Sequence, residues 1–203
     1  RLWAASADYR VDMRCSDAIF KQLSEKYLKI RNTARYILGN LNGFDPDKDM
    51  VPYDQMPELD RWALSRLNAL VERCINAYEK YEFFGVTAAV HSFCVVDMSN
   101  FYLDVIKDRL YCDAENSLSR RSAQTAIYLI LDHVMRLLAP LLAFTSNEVW
   151  QDMPHDKSAD KRHVMLNDMP KVEDAWKLSE SESVRWANLM ALRDDVNKAL
   201  ELA

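Results

Sequence analysis

Residues 27–41 read YLKIRNTARYILGNL, and this stretch decides the fold class. Apolar side chains recur every three or four positions around it: Ile19, Phe20, Leu23, Tyr27, Ile30, Ala34, Ile37, Leu38 and Leu41. That repeat belongs to a helix with one face turned toward a core. Ser16 and Asp17 supply an N-cap and a first-turn acid, and Asn42-Gly43 supplies a stop, so the spacing predicts a helix over 17–41. At roughly 100° per residue, Lys21, Arg31 and Arg35 share one flank of the stripe, with Asn32 beside them. Cationic groups next to an amide on a rigid rod suit phosphate and base contacts. A plain solvated helix face is the alternative.

Working outward, residues 42–57 (NGFDPDKDMVPYDQMP) form a loop by composition. Pro57 then opens a second helix carrying Leu59, Ala63, Leu67, Leu70, Cys74 and Tyr81, with Trp62 beside the stripe and a break at Gly85. From Val86 to Leu110 apolar residues fall on nearly every side, which predicts a buried central helix. A fourth helix over 119–139 faces the core with Ala123, Ile127, Ile130, Leu131, Val134, Leu137 and Leu138, and Pro140 ends or kinks it. Thr145 and Glu148 form a capping box for a short fifth helix through Trp150. Residues 152–178 read as irregular chain with a short extended piece at HVMLNDMP (163–170). A second capping box, Ser179 and Glu182, opens a last helix along Val184, Ala187, Met190, Arg193, Val196 and Leu200.

The expected fold is all-α, a bundle of about five long helices. It divides into a connector at 1–16, the bundle at 17–151, an irregular connection at 152–178 and the start of another helical region at 179–203. The opening RLWAAS without an initiator Met, and a periodicity still running at the last residue, read as a piece of a longer polypeptide.

Composition narrows the function. The chain has 203 residues with 49% hydrophobic content and only three glycines, which favours helices over a turn-rich β fold. No apolar run approaches the ~20 residues needed to span a bilayer, and no secretion signal is visible, so a soluble cytoplasmic protein is expected. The four cysteines contain no CxxC pair and the four histidines lack zinc spacing, so no metal site is expected. A net charge of −5 argues against a surface that grips nucleic acid everywhere, though not against a local basic strip.

Catalytic motifs are missing from the sequence: it has no glycine-rich phosphate loop, nucleophile elbow or HxxxH pair, and no catalytic residue is assigned. Asp97, Asp104 and Asp108 line up at spacings of seven and four. Buried carboxylates usually face a basic partner, so pairing with Arg31, Arg35, Arg109 or Arg136 is favoured over acid–base chemistry. In NFYLDVIKDRLY (100–111), Lys107 and Arg109 sit near a helix C-terminus, close to the rings of Tyr102 and Tyr111. Aromatic faces beside cations suit unpaired bases; caps and core edges are the alternative.

RLWAAS, YLKIRNTAR, LDRWAL, NFYLDVIKDRLY, RRSAQTAIY and MRLLAPLLAFTSNEVW occur in that order. The series closely resembles the region that follows the KMSKS loop in bacterial-type isoleucyl-tRNA synthetases, from Arg1 to about Pro170. Valyl- and leucyl-tRNA synthetases share the bundle in general form, but KIRNTAR and YLDVIKDRLY look more like the isoleucine enzymes. The resemblance implies the class Ia anticodon-binding domain, a helical bundle that holds the tRNA anticodon stem-loop. It also implies that ATP- and Mg-dependent aminoacylation, editing and any zinc module belong to other domains of the same synthetase. This piece would then be inactive alone, and it would be a monomer binding tRNA rather than DNA or membrane. Arg31, Asn32, Arg35, Lys107 and Arg109 lie at motif positions; with Lys21 they are the expected RNA contacts. For Arg31 and Arg35, burial against Asp97 or Asp104 stays open, as does a helical protein-interaction scaffold for the whole chain.

Overall fold

A computed structural model describes residues 1–202. The Ser16 side chain accepts a hydrogen bond from the Ile19 amide at 3.3 Å and starts the long helix as the sequence requires. The helices are α1 (Leu2–Ser6), α2 (Asp17–Asn40), α3 (Glu58–Glu79), α4 (Phe83–Ser92), α5 (Leu103–Val105), α6 (Lys107–Cys112), α7 (Leu118–Leu138), α8 (Ala143–Asp152) and α9 (Glu180–Leu202). A π-helical stretch, Phe93–Tyr102, joins α4 to α5. No strand occurs among the described residues. The fold is all-α, as expected.

The helix buried on all sides is α7 rather than the expected segment 86–110. Ala123, Ala126, Ile127 and Leu137 are fully enclosed, and even Arg121, Ser122, Gln124, Thr125, Asp132 and His133 are buried. Hydropathy misses this because hydrogen bonds satisfy several of the polar groups. Gln124 Nε2 donates to the Asn40 carbonyl at 3.0 Å, Thr125 Oγ1 accepts from the Val51 amide at 3.0 Å, and Arg121 Nη1 donates to the Gly43 carbonyl at 3.0 Å. These bonds also fasten the 42–57 loop to α7. Each buried Leu or Ile contributes about 1.5–3 kcal/mol, so the enclosed Leu64, Leu67, Ile106, Ile127 and Leu131 carry much of the stability.

The expected 86–110 helix is interrupted. The π stretch inserts wider turns, and Ile106 separates α5 from α6. The phase drawn from ideal helix spacing therefore fails beyond it. Asp97 is buried and accepts from Arg66 Nε at 2.9 Å, whereas Asp104 and Asp108 are exposed. Val96 and Val105 are also half exposed, so the apolar wrap is incomplete.

Several local expectations need correction. Gly85 is not a break: it lies inside α4, where an added Cβ would sit 3.4 Å from the Ala77 Cβ, so it serves close approach of α4 to α3. The break is at Tyr81, whose φ of 57° turns the chain and leaves its ring exposed rather than on the α3 stripe. Thr145 is not an N-cap, since α8 begins a turn earlier and the Thr145 hydroxyl meets the Tyr27 hydroxyl at 3.1 Å. The 163–170 piece is a 3₁₀ turn at Val164–Leu166, without a strand. The Ser179–Glu182 capping box does form, with Glu182 Oε2 accepting from the Ser179 amide at 3.0 Å and Ser179 Oγ from the Glu182 amide at 3.3 Å. However, α9 brings only part of its expected stripe inward, Met190 against the core and Arg193 over the Phe101 ring. It docks through Trp186, 5.3 Å from the Trp62 ring, while Val184, Val196 and Leu200 face outward.

Candidate nucleic-acid interface

The buried face of α2 consists of Leu23, Ile30, Thr33, Ala34 and Ile37. Lys21, Arg31, Asn32 and Arg35 are all exposed. They lie off that stripe, while Phe20, placed on the stripe by spacing, is 43% exposed. None of the five basic side chains of α2, Lys21, Lys26, Lys29, Arg31 and Arg35, forms an ion pair among the described residues. Five cations against Asp17 and Glu25 leave this helix at +3 within a chain of −5. The field is felt nearby: burial, then Lys26 and Lys29, hold the His91 pKa below 6.5. Lys26 and Lys29 escaped the sequence reading; counting charge along the helix would have found them.

Arg31 and Arg35 are therefore not the partners of Asp97 or Asp104. Asp97 pairs with Arg66, and Asp104 binds Lys107 at 2.6 Å. Arg136 pairs with Asp132, one turn earlier on α7.

Arg109 is the correction that matters most for the site. Its Nη1 and Nη2 donate to the two oxygens of Asp60 at 2.8 and 2.6 Å, and Nε and Nη2 bind the Ser119 hydroxyl and carbonyl at 3.0 and 2.6 Å. Asp60 has no exposed surface and also accepts from Tyr102 Oη at 2.8 Å and Ser122 Oγ at 2.5 Å. Burial works against the Arg109 charge, and the Asp60 hydrogen bonds together with the charges of Asp60 and its neighbours more than offset it, so its pKa is raised. Burial, then Asp60, drives the Tyr102 pKa far up. Arg109 and Tyr102 thus tie α6 and the π stretch to α3 and α7. Four of its five N–H donors are engaged in these contacts, so Arg109 serves the core rather than an open cationic surface.

Lys107 stays at the surface. Its pair with Asp104 is half exposed on both sides, so it is weak and exchangeable. Tyr111, one turn on along α6, is 61% exposed and its hydroxyl donates to that of Tyr36 on α2 at 3.4 Å. Tyr36 Oη in turn donates to the Leu103 carbonyl at 3.5 Å. This chain of long hydrogen bonds links Tyr111 of α6 through Tyr36 of α2 to the backbone of α5. Tyr36 follows Arg35 directly on α2, while Lys21 lies about 15 Å from Arg31 at 1.5 Å rise per residue.

Comparisons with known proteins bear on what this ridge serves. A profile of the family described as the anticodon-binding domain of tRNA ligases matches residues 60–202. The chain belongs to this family. Over its whole length the chain is 51% identical to an isoleucine–tRNA ligase of Caldanaerobacter subterraneus subsp. tengcongensis. It is 53% identical to that of Syntrophotalea carbinolica and 52% to that of Geobacter sulfurreducens, again over all 203 residues. The chain spans 22% of the length of each of these relatives. No helix among its described residues is long and apolar enough to cross a membrane. None of its described His, Cys, Asp and Glu residues gather in threes suited to a metal ion.

Proposed function

We propose that the outward face of α2, with Lys107 alongside, holds the anticodon stem-loop of an isoleucine tRNA. In this reading the domain works as a monomer in the cytoplasm. The remaining domains of the same synthetase carry out the ATP- and Mg-dependent ligation. The observation that supports it is the unpaired row of cations on α2 within an acidic chain. Phosphates attract such a row, and the Asn32 amide and the Arg31 and Arg35 guanidiniums can reach base edges. Unpaired anticodon bases offer those edges freely.

A fluorescence titration of the 203-residue chain at low salt tests this. The isoleucine stem-loop is expected to bind more tightly than an unrelated hairpin, with affinity falling linearly in log salt. Arg31→Ala and Arg35→Ala should each flatten that slope by about one where the side chain meets a phosphate. Equal affinity for both hairpins would refute specific recognition, and a slope indifferent to both substitutions would refute this surface.

A further inference from the structure

Tyr111 is a large aromatic side chain left 61% exposed among charged residues, yet it is not loose. Its hydroxyl is engaged by Tyr36, so the ring is held at its edge. Lys107 precedes it by one turn on the same face of α6, and Tyr36 is next in sequence to the exposed Arg35 on α2. A held ring with open surface beside cations has the two things an unpaired base requires: a flat apolar platform and a site for the adjoining phosphate. Because the hydroxyl contact orients the ring beforehand, less freedom is lost when a base stacks. We propose that Tyr111 is the stacking platform for one unpaired base of the bound RNA loop, with Lys107 exchanging Asp104 for the phosphate next to it. This rests on the RNA-binding reading above.

The test uses stem-loops with 2-aminopurine placed at each loop position in turn, titrated against the wild type, Tyr111→Ala and Tyr111→Phe. Wild type is expected to quench one position strongly. Tyr111→Ala should abolish that quench and weaken binding about tenfold, within the range for loss of one base stack, without changing the salt slope. Tyr111→Phe keeps the ring and should retain the quench, with affinity within about threefold. Since Tyr111 is exposed, both variants should melt with the wild type, and urea titration checks this. If Tyr111→Ala binds as tightly as wild type or keeps the quench, the platform is overturned while the α2 ridge stands. If wild type does not prefer the stem-loop, both fall together.

Discussion

Replacing Arg109 with Ala separates the two uses this cation could have had. Asp60 is fully enclosed and accepts four hydrogen bonds, two of them from Arg109 at 2.8 and 2.6 Å. Without the guanidinium, Tyr102 and Ser122 still donate, but no counter-charge remains. Breaking a buried pair by removing one partner costs about 3–5 kcal/mol. For a domain of this size that lowers the melting temperature by roughly 6–20 °C, at 2–4 °C per kcal/mol. Arg35→Ala is the control; its exposed side chain has no ion-pair partner, and its expected change lies within about 0.5 kcal/mol. Thermal unfolding followed by circular dichroism measures both midpoints. The double change Asp60→Asn with Arg109→Met should recover part of the loss, because it no longer strands a charge. An Arg109→Ala protein that melts with the wild type but binds RNA poorly would refute the structural role. It would return Arg109 to the interface.

Gly39 lies in the last turn of α2 with nothing within 4 Å of an added Cβ. Gly39→Ala should therefore stabilise the fold by about 0.5–1 kcal/mol in urea titration; a loss would mean that glycine's backbone freedom is needed there. All four cysteines are free, with Cys15 and Cys112 exposed and Cys74 and Cys94 buried. Burial pushes the thiols of Cys74 and Cys94 up to about 12. A thiol reagent should therefore titrate two groups in the native protein and four in denaturant, whereas four reacting natively would contradict the packing. Burial, against a Trp150 ring 4.3 Å away, holds the His155 pKa below 6.5, so the unfolded chain takes up its proton first as pH falls. The neutral fold is favoured above pH 6.5, and stability should drop as pH falls below that value toward the folded pKa. His155→Gln should flatten this decline, leaving the share of His91, whose pKa is also held down.

Much of the fold is legible in order along the chain because its causes are local. The stripe of α2, its Ser16 cap and the Ser179–Glu182 box each involve residues within a turn or two of one another. The α2 cations are legible for the same reason: a helix shows the same outer face whatever packs behind it. Tertiary structure decided the partners. Arg109 meets Asp60 across 49 residues, Arg66 meets Asp97 across 31, and Tyr111 meets Tyr36 across 75. A regular repeat can say which residues share a face, but it carries no information about the helix opposite. The π stretch erases even the shared face beyond Asp97, since its wider turns shift the phase on which the aspartate alignment depended. The sequence by itself therefore determined an all-helical chain with a cationic α2. Only the packing of α6 on α7 and the reach of Arg109 to Asp60 on α3 decided which cations are spent inside and which remain exposed.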